Sequence, residues 1–359
     1  MSTKHYFACA NSAKGYINLF HSNLAPLDKV YILKGGPGKG MSELMRKIAK
    51  TLEEHNEIVE YIHNPSDPDA LDGVIFPKLN VGIVDGTAPH VIEPKVPGAI
   101  EEYVNLGVSW NTEALAGYKD HILELMVRMQ QYHEKAYTEF KEGLKVHDEW
   151  EKVYIQNMDL SRADELTTEV TKSLLPTTQF KKQSLVKHRF FGGSTPKGPM
   201  DFVENITSDI TTRYFIKGRP GSGKSTMMKK ILRTAEAQGL DTEVYHCGFD
   251  PESLDMLLFP ELSLCIFDST APHEYYPSRE GDKVIDMYTE IIKQGTDEQY
   301  KKELAEIQIR YKSHIKAGTS HLADAKTHLE ELNHIYDKAT NFSVVDRIGK
   351  ELYQKIISN

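Results

Sequence analysis

The chain has 359 residues, 40% of them apolar and 26% charged. That is longer than one typical domain and balanced like a folded globular protein, which excludes disordered, collagen-like and disulfide-scaffold classes. The 43 Lys and Arg against 52 Asp and Glu leave a net charge of −9, which argues against a general nucleic-acid coat or an anionic-membrane binder. Three cysteines (Cys9, Cys247, Cys265) are odd in number and too widely spaced for a zinc site, so they read as reduced thiols. The amino terminus lacks a signal-like apolar core. No later run approaches the roughly 18 apolar residues of a membrane span. A soluble cytoplasmic protein is expected.

The chain is also written twice. Residues 5–90 align with 188–273 without a gap, with about 31 identities in 86 positions. Farther on, Tyr118, Lys119, Glu124 and Tyr154 match Tyr300, Lys301, Glu306 and Tyr336 at an offset one residue shorter. In chain order, each copy opens on a short apolar strand, around Tyr6–Ala10 and Arg189–Gly193. A predicted helix follows near 15–24 and 198–210, with Lys14-Gly15 and Lys197-Gly198 as turns before it. A second strand, Val30–Leu33 or Tyr214–Ile216, enters a glycine-rich turn and a helix of about 15 residues. A third ends at His63 or His246, and a fourth, Val81–Val84 or Leu264–Phe267, ends in an aspartate. Residues 112–158 and 296–341 read as helical arms, with Ala317–Ser320 as the possible turn of a hairpin and a single long helix as the alternative. A terminal helix near 160–175 and 342–358 closes each copy. The expected fold is α/β: two tandem domains, 1–180 and 184–359, each a mainly parallel sheet flanked by helices and carrying an inserted arm.

The strongest chemical signal is GRPGSGKS, a full match to G-x-x-x-x-G-K-[ST] between a strand and a helix. Gly218, Arg219, Pro220, Gly221, Ser222 and Gly223 form a loop whose amides can wrap a phosphate, and Thr226 continues the helix after it. Lys224 would reach the β- and γ-phosphates, and the Ser225 hydroxyl would hold Mg²⁺ together with Asp268 at the end of LSLCIFD. In the first copy the aligned loop is Gly35, Gly36, Pro37, Gly38, Lys39 and Gly40, with Met41 at the lysine position and Ser42 at the hydroxyl position. The favoured reading is a degenerate site that still binds a nucleotide or phosphate through its backbone, with Lys39 supplying part of the missing charge. A register running from Lys34 to Lys39 is the alternative.

These motifs resemble those of the P-loop NTPase superfamily, over roughly 30–90 and 213–273, and the duplication resembles a bacterial family of tandem P-loop proteins. The resemblance implies binding of a nucleoside triphosphate and Mg²⁺ at the carboxyl end of a parallel sheet. ATP is preferred because no N-K-x-D guanine-reading motif occurs. The chain departs from many hydrolytic relatives in having Ser269 rather than a glutamate after Asp268, and Gly86 after Asp85. His273, with His90 in the same place of the first copy, is the candidate to orient water or an acceptor. His246 and Asp250, like His63 and Asp67, are candidates to face a small-molecule acceptor, although Asp250-Pro251 also reads as a helix start. Arg219 and Arg279 are candidate charge stabilisers, with Arg213 the third arginine near the second site. Three functions follow: slow ATP hydrolysis or switching coupled to the arms, phosphoryl transfer to a small molecule, or a nucleotide-bound scaffold whose arms recruit a protein.

Overall fold

The computed structural model describes residues 3–88 and 91–358; His90 lies outside them. The amino-terminal half contains strands β1 (Lys4–Phe7), β2 (Cys9–Ser12) and β3 (Gly15–Asn18), then helix α1 (Phe20–Leu24). It continues with β4 (Lys29–Lys34), α2 (Gly40–Glu54), β5 (Glu60–Asn64), β6 (Asp67–Phe76), β7 (Val81–Asp85) and β8 (Glu101–Asn105). Helices α3 (Thr112–Gly117), α4 (Lys119–Ile155) and α5 (Leu160–Leu174) end it. The second half repeats this order. It runs through β9 (Val186–Phe190), β10 (Gly192–Thr195), β11 (Gly198–Asp201), α6 (Val203–Ile206), β12 (Thr212–Lys217) and α7 (Lys224–Gln238). Then come β13 (Thr242–His246), β14 (Leu254–Phe259), β15 (Leu264–Asp268), β16 (Lys283–Asp286), α8 (Met287–Ile291), α9 (Thr296–Gln299), α10 (Lys301–Ala339) and α11 (Phe342–Ser358).

The protein is α/β, built on one mixed twelve-stranded sheet in the order β16-β12-β15-β14-β13-β9-β1-β5-β6-β7-β4-β8. Each half contributes six strands, five mutually parallel and one, β6 or β14, antiparallel to its neighbours. The halves meet where β1 and β9 pair through Phe7 and Phe190 alone. Beyond that point the strands part, and side chains continue the ladder: His5 N donates to Asn205 Oδ1 (2.7 Å) and His188 N to Ser22 Oγ (2.9 Å). Beneath the seam, fully buried Arg189 donates to Glu60 Oε2 (2.6 Å) and stacks on Tyr6, and Lys4 pairs with Glu243 (2.8 Å). Two cations thus face two carboxylates, the balance such burial requires.

Four local expectations change. The helices near 15–24 and 198–210 begin instead as hairpins, β2–β3 and β10–β11, which join into a second, four-stranded sheet. Gly15 (φ +88°) and Gly198 (φ +96°) supply the left-handed residue that follows each two-residue turn. Asp250-Pro251 does not start a helix; the segment after it enters β14, and Asp250 accepts from Ser253 Oγ in a turn. Ala317–Ser320 is not a turn, because α10 runs unbroken for 39 residues. It lies antiparallel to α4, joined through Arg310–Glu149, His314–Glu139 and His121–Glu331. Gly318 permits the contact, since a Cβ there would overlap the buried Phe140 ring.

The fourth change is the largest. The terminal helices exist where expected, yet each closes the other half. Leu166, Val170 and Leu174 of α5 pack with Met227, Ile231 and Ile266 in the second half. Val345, Leu352 and Ile356 of α11 pack with Met41, Leu44 and Ile83 in the first. Lys230–Asp164 and Lys47–Asp346 clamp the two exchanged helices. No helix among the described residues is long and apolar enough to cross a membrane.

Candidate functional site

Strand β12 lies between β15 and β16, parallel to both, so its carboxyl end opens between theirs. There the chain turns through Gly218–Gly223 into α7. Gly221 (φ +72°) and Gly223 (φ +82°) hold left-handed conformations that an L side chain would strain. Ser222 is buried, and its Oγ accepts from Arg219 N (3.3 Å), closing the loop; a Cβ on Gly218 would strike that hydroxyl. Lys224, first residue of α7, donates to Arg219 O (3.0 Å) and lies 3.4 Å from Asp268 Oδ2. Ser225 Oγ accepts from Leu254 N (2.9 Å), which ties the helix start to β14. Lys224 thus joins the loop to Asp268, with Ser225 beside it at the start of α7.

A second acid stands there that sequence reasoning missed. The β14–β15 ladder pairs Met256 with Phe267, so the next positions outward, Asp255 and Asp268, lie directly opposite. Asp268 Oδ1 accepts from Thr270 N (3.1 Å) and Oγ1 (2.6 Å), leaving Oδ2 toward Lys224. Burial, and then the Asp268 charge, push the Asp255 carboxyl up to about 7. The first half repeats the arrangement: Asp72 is opposite Asp85, and burial, then Asp85, raise Asp72 to about 8. The signal was available as an aspartate conserved between the copies in D-P-x-x-L-D, but nothing in the spacing says that it faces the strand-end acid.

The remaining predicted residues divide. His273 is held by Asp201 through Nδ1 (2.6 Å), Asp201 also accepting from Tyr275 Oη (2.5 Å). Burial opposes its charge, but Asp201 outweighs burial and His273 titrates above the ordinary histidine value. His246 is committed to the fold: Nδ1 bonds Pro251 O (2.7 Å) and Nε2 meets His188 Nδ1 (2.8 Å). His63 has the same pair of partners, Pro68 O and His5. Asp250 faces Lys14 of the other half at 3.9 Å. Arg219 is turned to Asp297 (2.8 Å) and the Tyr288 ring. Arg213 is paired with Asp282, and Arg279 donates to Thr207 O and Ser208 O. Both line a cavity of about 340 Å³ with Phe215, Phe267 and Tyr275, away from the loop.

Helix α4 of the first half crosses over this site. A Cβ on Gly221 would lie 2.6 Å from the Glu151 carbonyl oxygen, and His147, Asp148 and Glu151 form a cluster on the same helix. Tyr154 reaches Asp297 (2.8 Å), the residue that holds Arg219.

The first-half loop is arranged differently. Helix α10 crosses it, and Gly38 N donates to Asn333 Oδ1 (2.8 Å) and Lys39 N to Asp337 Oδ1 (3.0 Å). The Lys39 side chain is exposed. Met41 is buried in the core shared with Leu106 and Val345. A cavity of about 20 Å³ remains among Gly35, Gly36, Gly38, Gly40, Trp110 and Asp337, room for little more than a water molecule. Ser42 keeps the structural half of its role, accepting from Leu71 N (3.0 Å).

Comparison with protein-family models, curated proteins and solved structures gives no match to this chain. The second-half donor set fits Mg²⁺ on its own chemistry: a hydroxyl and a carboxylate, both hard oxygen ligands, beside a lysine and a loop of wound-in glycines.

Proposed function

We propose that the carboxy-terminal half is a P-loop site that binds a nucleoside triphosphate, ATP by preference, with Mg²⁺, and hydrolyses it slowly. The observation that carries this reading is Lys224 joining Asp268 to a loop wound by Gly221 and Gly223, with Ser225 beside it. The loop amides and the start of α7 cradle the phosphates, Lys224 exchanges its contact with Arg219 O for one to the phosphoryl oxygens, and Ser225 with Asp268 hold the metal. Bound Mg²⁺ supplies charge neutralisation on those oxygens. Asp255, which takes up a proton near neutrality and stands opposite Asp268, supplies the proton acceptor that a glutamate after Asp268 provides elsewhere. Because α4 lies over Gly221, occupancy is communicated to the α4–α10 pair.

Phosphate release from Mg·ATP tests this directly. Lys224→Ala loses it, since a charge-assisted phosphate contact is worth on the order of 1.5–3 kcal/mol in binding alone. Met41→Lys leaves it unchanged. Equal release from wild type and Lys224→Ala overturns the reading. Phosphoryl transfer to a small molecule is the second reading, favoured by the His273–Asp201 pair, which fixes an imidazole after the strand-end acid. Acceptor-dependent consumption of ATP distinguishes the two.

A further inference from the structure

We propose that the amino-terminal loop is an anion site occupied by the chain's own carboxylate: Asp337 takes the position of a phosphoryl group on the Lys39 amide, beside Asn333 on the Gly38 amide, and fastens α10 to the first half. The geometry is direct, with Asp337 Oδ1 3.0 Å from Lys39 N and Asn333 Oδ1 2.8 Å from Gly38 N. Lys39 is the residue before α2, a helix of 15 residues, so the carboxylate sits at the positive end of that helix. Among the described residues no Lys, Arg or His side chain lies within ion-pair distance of Asp337, which leaves the Lys39 amide and the helix end as its counter-charge.

The glycines of this loop then have a use that needs no nucleotide. A Cβ on Gly36 would lie 2.7 Å from the Tyr336 ring, and one on Gly38 would lie 2.9 Å from Asp337 Oδ1. They persist because α10 must come close. The repeat carries the contrast further. At the offset that aligns Tyr154 with Tyr336, Asn333 corresponds to Glu151 and Asp337 to Ile155. Helix α4 of the first copy, which crosses the Lys224 loop, has an isoleucine, which accepts nothing, where α10 of the second copy, which crosses the Met41 loop, has the plugging carboxylate. Loss of the cation and gain of an internal anion belong to the same site. The consequence is one phosphate-binding loop per chain, with the other serving as an anchor.

This inference is independent of turnover at the second half, and one experiment reads both separately. Amide hydrogen exchange is followed in the full chain for segments 35–42 and 218–225, with inorganic pyrophosphate and Mg²⁺ as the probe. In wild type, segment 35–42 is protected without ligand and pyrophosphate does not change it. Asp337→Ala lowers that protection about tenfold, and Asp337→Asn, which keeps an acceptor but loses the charge, lowers it by a smaller factor. Undiminished protection in either Asp337 variant, or protection of wild-type 35–42 that rises with pyrophosphate, overturns the proposal. Should Asp337→Ala lose its global fold, the Asn variant and the wild-type pyrophosphate arm still decide. A failure of segment 218–225 to respond counts against the second-half site alone.

Discussion

Asp72 and Asp255 are the residues whose chemistry the fold alters most among those at the two loops. Each faces another aspartate across an antiparallel ladder, a placement that costs stability when both ionise. Asp72 is the cleaner test, because its half has Met41 where the other has a lysine, and its Oδ2 is buried without a partner. Its folded value, about 8, lies above the ordinary carboxylate value near 4. The protonated form is therefore the one the fold prefers. That contribution is complete below about pH 4 and is lost as pH rises through about 8. Asp72→Asn accordingly gains stability over wild type between pH 5 and pH 9, on the order of 3 kcal/mol. Urea unfolding at the two pH values measures it, and a constant difference would contradict the assignment. His63 has the opposite sign: burial lowers it to about 4, so its contribution is lost as pH falls from about 6.5 toward 4. At this scale the sequence was informative for Gly218–Ser225 and Asp268, whose types and spacing carry their own chemistry. It was silent on Asp255, Asn333 and Asp337, whose roles exist only through a strand register or a helix from the far half.

Elements were legible where periodicity was strong and misread where short. Helices α2, α7, α5 and α11 stand where apolar spacing puts them. The hairpins were missed because strands of four residues have no measurable period, and β14 because Asp-Pro followed by apolar residues fits a helix start as well as a strand. The arms proved to be two long helices whose contact is set by small residues. Gly318 faces Phe140, and Gly143 lies near His314 and Ile315. Gly318→Leu is expected to destabilise by about 1–3 kcal/mol, because overpacking at Phe140 outweighs the gain in helix propensity. Gly117→Ala, with open space around it, is expected to be neutral or slightly stabilising in the same unfolding assay.

Across the whole molecule, the duplication visible in the sequence appears as two six-stranded sets with one strand order, joined at Phe7 and Phe190. The exchange of α5 and α11 was not visible there, since a repeated unit has the same apolar pattern whichever copy it packs on. That exchange makes the two halves interdependent: the helix that seals the Lys224 half is encoded before it, and the helix that seals the Met41 half closes the chain. The halves are bound alike and equipped differently. One loop is lined by Lys224, Ser225 and Asp268, and the other is bonded to Asn333 and Asp337. The most direct measurement is thermal unfolding of wild type and Lys224→Ala with Mg·ATP at about 100 times the wild-type dissociation constant. Binding at one site adds about 2.7 kcal/mol, which for a chain of this length raises the midpoint by about 3–4 °C. The account predicts that rise in wild type and less than half of it in Lys224→Ala, whose weakened binding leaves about 0.3–1.3 kcal/mol; equal midpoint shifts in the two proteins would contradict it.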